Sequence, residues 1–123
     1  MTSTHVYANF AGRRRKFELT IGAASELEKR CGAGVGEILL RLGSHHFTVD
    51  DVVQSIQLGL EGGGTSEAEA TALGQRHIKP PLSSHLQLAI DIVAAFINGV
   101  PQNDGDEEKK SPEIDNPPEP MPP

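Results

Sequence analysis

Apolar residues first recur every second position. From His5 to Phe10, Val6, Ala8 and Phe10 fall on one face. After Ala11-Gly12 the alternation resumes, with Phe17, Leu19 and Ile21 together. Period two on both sides of a glycine turn predicts a β-hairpin over about residues 5–20. A lone hairpin is marginal in water, so this one must pack on helices.

From Gly22 the period lengthens. Ala24, Leu27 and Cys31 fit a helix that Gly32 and Gly34 stop. A shorter helix is expected from Val35 to Leu42, with Ile38, Leu39 and Leu42 inward and Gly43 ending it. Thr48 and Asp51 form a capping-box pattern ahead of a stripe of Val49, Val52, Val53, Ile56 and Leu60. Gly62-Gly63-Gly64 ends that helix. Ser66 and Glu69 open the next, which carries Ala70, Leu73 and Ile78 and stops before Pro80-Pro81. Ser84 and Gln87 suggest a last capping box. The helix behind it has an apolar face of Leu86, Ala89, Ile90, Val93 and Ile97, helped by Phe96, and ends at Gly99 and Pro101.

The predicted class is α+β, mostly α: an N-terminal hairpin packed on four or five short helices within residues 1–100. With no tryptophan and 4% aromatics, its core must be aliphatic.

Residues 101–123 differ in composition. They hold seven of the nine prolines, seven acids and two lysines, a net charge of −5 out of −6 for the chain. The first hundred residues therefore carry −1. A stretch of this kind buries too little apolar surface to offset its ordering entropy and is expected to be disordered.

Several functions find little support. The basic run Arg13-Arg14-Arg15-Lys16 could meet phosphate. It sits in a near-neutral body without interleaved aromatics to stack on bases, so it reads as a solvated hairpin turn and no nucleic-acid partner is expected. His45-His46 has no cysteine or acid at zinc spacing beside it, and no metal or other cofactor is expected. Gly59 with Gly62-Gly63-Gly64 looks like a phosphate loop but lacks G-K-[ST] and a preceding strand. Gly32 to Gly36 looks like a dinucleotide loop but follows a helix. Cys31 lies on an apolar stripe, and no acid and base are paired, so an enzyme is not expected. A single cysteine excludes an internal disulfide and fits a reducing cytoplasm. No signal-peptide pattern opens the chain, and Leu86 to Val100 is too short and polar to span a membrane.

The stretch Phe17 to Glu28 (F-E-L-T-I-G-A-A-S-E-L-E) resembles the strand-to-helix junction of the tail assembly chaperone-like proteins of gene transfer agents and related long-tailed phages, also labelled tail tube proteins. Thr48 to Val52, and Ile56 to Gly64, resemble that family's central helix and its glycine-rich end. The resemblance covers roughly residues 5–100. It implies a non-enzymatic tail assembly chaperone acting with the tape measure protein and the tail tube protein in the host cytoplasm. The alternative is a structural virion protein, such as a tail tube or head–tail joining subunit. Arg15, Lys16, Phe17 and Leu19 on the second hairpin strand are the candidate partner-binding residues, because an open strand edge can accept another strand.

Overall fold

The computed structural model describes residues 2–101. Its order is β1 (Thr2–Ser3), β2 (His5–Phe10), β3 (Arg13–Glu18), α1 (Ile21–Cys31), α2 (Val35–Gly43), α3 (Val49–Gly62), α4 (Glu67–His77), α5 (Ser83–Asn98) and β4 (Val100–Pro101). The hairpin and five helices match the expected class. The segment expected to be disordered lies outside the described residues except for Pro101. That residue pairs with Thr2 as β4 runs antiparallel to β1, a strand pair with no periodic signal.

β2 and β3 join through a two-residue turn in which Ala11 (φ 53°) and Gly12 (φ 88°) both have positive φ. That conformation matches the right-handed twist of the flanking strands. Val6 pairs with Phe17 and Phe10 with Arg13, so Phe10 and Phe17 turn together onto the helices.

The alternation that placed Ile21 with Phe17 and Leu19 ends earlier than expected. The Thr20 hydroxyl accepts a hydrogen bond from the Ala23 amide at 3.1 Å, capping α1 and starting the helix at Ile21. Ile21 consequently points outward and is 78% exposed. Glu28 of α1 in turn caps α2, its carboxylate accepting from the Val35 amide at 3.0 Å.

Helix α3 is the centre of the fold and touches β3, α1, α4 and α5. Its capping box forms as expected: Asp51 N–H donates to Thr48 Oγ1 and Thr48 N–H to Asp51 Oδ2. The expected stripe is only part of its buried surface. Residues Ser55 to Leu60 are all buried, so this half of the helix is enclosed on every side, while Val49 at its start is exposed. Close neighbours need small residues. A Cβ at Gly59 would stand 3.1 Å from two carbons of Ile92, and one at Gly74 would run into Gln57.

The inner face of α5 is Leu86, Ala89, Ile92, Val93 and Ala95. It is rotated from the expected face: Ile90 is half-buried and Ile97 exposed, because α2, α3 and the hairpin meet the helix along the Ile92 side. The Ser84–Gln87 box does not form. The Ser84 and His85 amides donate to the carbonyls of Pro81 and Leu82, and Gln87 donates to Asp91 instead.

Candidate partner-binding surface

The four hairpin residues singled out in the sequence do not form one exposed edge. Arg15 folds back on the turn, its Nε donating to the Phe10 carbonyl at 2.7 Å and its Nη2 to the Ala11 carbonyl at 3.2 Å. Phe17 and Leu19 are core residues, 0% and 1% exposed, and the Phe17 ring meets Phe10 edge-on at 6.0 Å. Lys16 is half-buried.

The outer edge of β3 is not open either. The register places Lys16 opposite Tyr7 and Glu18 opposite His5, both in pairs whose amides and carbonyls point away from the neighbouring strand. The Glu18 carbonyl meets Gly62 and the Lys16 carbonyl meets Gly63 so closely that neither glycine has room for a Cβ. The glycine run at the end of α3 thus does more than stop a helix: it lets the helix close the strand edge. Helix α3 therefore covers the β3 edge at Lys16 and Glu18.

The other edge belongs to β2. At His5 the backbone is held by Ser3, whose hydroxyl lies 3.4 Å from the His5 amide and 3.5 Å from its carbonyl. Beyond it, no strand among the described residues pairs with the outward side of Tyr7 and Asn9. This strand carries no Lys, Arg, Asp or Glu.

The two ends of the hairpin differ in charge. At its base, α1, α3 and α4 enclose an open groove of about 570 Å³ whose lining includes Thr20, Glu26, Arg30, Glu61, Gly62 and Glu67. Arg30 is committed to Glu26 at 2.9 Å and to Gln54 at 2.7 Å. Among the described residues, Glu61 and Glu67 have no ion pair. Partial burial pushes the Glu61 carboxyl above its ordinary range, the Glu67 charge adds to the shift, and the nearby Arg30 guanidinium opposes it. At the turn end, Arg13 is exposed, and His77 in the last turn of α4 meets the Phe10 ring edge-on at 6.1 Å. The groove was not legible in the sequence, since its walls come from three helices with no common local pattern.

Elsewhere the polar groups are structural. Asp51 is fully buried, accepting from Arg41 Nη2 at 2.6 Å as well as from the Thr48 amide. Arg41 also donates to the Cys31 carbonyl at 3.2 Å. Burial first, and then the Asp51 carboxylate, push the Cys31 thiol from 9.0 up to about 12, so it stays protonated at neutral pH. His45 and His46 lie in the α2–α3 loop, where His46 Nδ1 is 3.1 Å from the Ser44 hydroxyl. Among the described residues no three His, Cys, Asp or Glu side chains are grouped to hold a metal ion, and no helix is long and apolar enough to cross a membrane.

A family model described as phage tail tube protein, GTA-gp10, matches residues 3–99. That span takes in the hairpin and all five helices. Comparison with curated proteins and with solved structures gave no match. The chain belongs to the phage tail tube protein family of GTA-gp10, a family of phage and gene-transfer-agent tails.

Proposed function

We propose that this protein is a structural subunit of a phage or gene-transfer-agent tail, acting through protein–protein contacts and without catalysis. The observation that carries the reading is the tail tube family match across the hairpin and every helix. The protonated Cys31 thiol is consistent with it, since a nucleophilic cysteine needs the opposite shift. The near-neutral body gives no support to a nucleic-acid role.

A second reading, a tail assembly chaperone working with the tape measure protein and the tail tube protein in the host cytoplasm, draws on a different observation. The largest sheet among the described residues has two strands, whereas a subunit stacked into rings through its sheets would use more. The unpaired side of Tyr7 and Asn9 on β2 could hold an extended segment of a client by strand addition. Mass spectrometry of purified particles separates the two. A structural subunit is present in many copies per particle. A chaperone is missing from particles and co-purifies with the tape measure protein from lysates of assembling cells.

A further inference from the structure

The hairpin divides its residues between two faces. Phe10 and Phe17 turn onto the helices, and on the other face the register sets Asn9 opposite Arg14, Tyr7 opposite Lys16 and His5 opposite Glu18. The basic run thereby gains an aromatic neighbour: the Arg14 guanidinium lies over the Tyr7 ring, 5.3 Å from its centroid, and Lys16 stands across from the same residue. Arg13, exposed at the turn, adds a third cation. The one acid of this face, Glu18, accepts from the Thr4 hydroxyl at 2.6 Å. The ion pairs among the described residues use Arg30 and Arg41, and neither Arg13 nor Lys16 has one. The outer hairpin face is therefore positive, on a body of 100 residues whose total charge is −1.

The compensating charge lies in the same chain. β4 ends at Pro101, which is paired with Thr2, and Thr2 precedes Tyr7 by about 17 Å of strand. Four acids follow closely, Asp104, Asp106, Glu107 and Glu108, with no proline or lysine among them. From Pro101 to Glu108 an extended chain spans about 23 Å. These acids are thus tethered within reach of Arg14 and Lys16. So short a tether gives an effective concentration on the order of millimolar.

We infer that residues 104–108 dock on the outer hairpin face of their own molecule, with their carboxylates on Arg14 and Lys16 beside the Tyr7 ring. The chain's own segment is the occupant because β4 anchors it near the base of β2, whereas an acidic segment of another protein would lose its translational freedom on binding. Such contacts are made by charge without burying apolar surface, which suits a segment of this composition. They are reversible and weaken with salt. The docked acids stand beside the side of Tyr7 and Asn9 that no strand pairs among the described residues. An extended partner adding to that edge has to displace them, so the segment is an internal competitor for it. This consequence rests on the chaperone reading; the docking itself does not.

Carbodiimide cross-linking of the full chain, read by mass spectrometry of its peptides, tests it at about 0.01 M salt, where charges act over about 30 Å, and at about 1 M, where they act over about 3 Å. At low salt Lys16 should be joined to Asp104, Asp106, Glu107 or Glu108 at least about three times as often as Lys79, an exposed lysine beyond α4, is joined to the same acids. At high salt that excess should vanish. A mixture of chains with natural and heavy nitrogen should give links within one isotope only. Arg14→Gln, with its fold checked by circular dichroism, should lower the Lys16 yield by about threefold. Asp106→Asn with Glu107→Gln and Glu108→Gln should shift the amide resonances of Tyr7 and Lys16 and leave those of the buried residues of α3 in place. The inference is overturned if Lys16 is linked no more often than Lys79, if links join light to heavy chains, or if the Tyr7 and Lys16 resonances do not move. Those outcomes leave the chaperone reading standing, since that reading is decided by the composition of purified particles.

Discussion

The carbonyl oxygen of Glu18 occupies the space that a Cβ on Gly62 would need. The relationship joins the end of the central helix to the outer edge of β3, and Gly63 repeats it with the Lys16 carbonyl. Backbone cannot swing aside as a flexible side chain does, so alanine at either position must push the strand and helix apart. Gly62→Ala and Gly63→Ala are expected to cost at least about 3 kcal/mol each. Gly64, with φ 117° and open space around it, is strained only by its dihedral, and Gly64→Ala should cost about 1 kcal/mol. Urea unfolding of the three variants checks the order, and equal costs would refute the edge-closing role.

The hairpin turn offers a test with the opposite sign. Ala11 holds φ 53°, a conformation that disfavours a Cβ. Ala11→Asn creates the Asn-Gly pair preferred at this turn and should stabilise the protein by about 0.5–1 kcal/mol. Arg15→Ala removes both guanidinium contacts to the turn carbonyls and should destabilise by about 1–2 kcal/mol. Thermal unfolding reads both, and Arg15→Lys should recover only part, since one ammonium cannot match the guanidinium fork.

Cys31 makes stability depend on alkaline pH. Its thiol titrates near 9.0 when unfolded and is pushed up to about 12 in the fold. Above pH 9 the unfolded chain releases this proton first, so the unfolded state binds fewer protons and stability falls as pH rises towards 12. Denaturant midpoints of the natural chain should therefore drop between pH 9 and 11 more steeply than those of Cys31→Ala. At pH 8 the native thiol should react with an aromatic disulfide reagent far more slowly than the unfolded one.

Substitutions on α5 and α1 distinguish the observed core from the pattern expected of the sequence. Ile92→Ala should cost about 2–5 kcal/mol, since its side chain is buried against α3. Ile90→Ala, at a half-buried site, should cost less. Ile21→Ser should change stability by no more than about 0.5 kcal/mol, because Ile21 is exposed. A large loss at Ile21 would refute its outward placement.

The sequence by itself determined the elements. Period two around Ala11-Gly12 predicts the hairpin, and period 3.6 between glycine and proline stops predicts four or five helices. Thr48 and Asp51 fixed one helix start to the residue, because capping is a contact over three positions. Local signals of this kind survive folding. What depended on packing was decided elsewhere. A two-residue alternation cannot say where a strand gives way to a helix: it puts Ile21 on the inner face, and the Thr20 cap turns that residue outward. A helical stripe wide enough for several partners leaves its rotation open, so the inner face of α5 settled on Ile92 only when α2, α3 and the hairpin met it. The strand edge proposed for partners was closed by glycines about 45 positions later in the chain, and the acidic groove drew its walls from three helices. Both are contacts between residues remote in sequence, and only the tertiary structure brings such residues together.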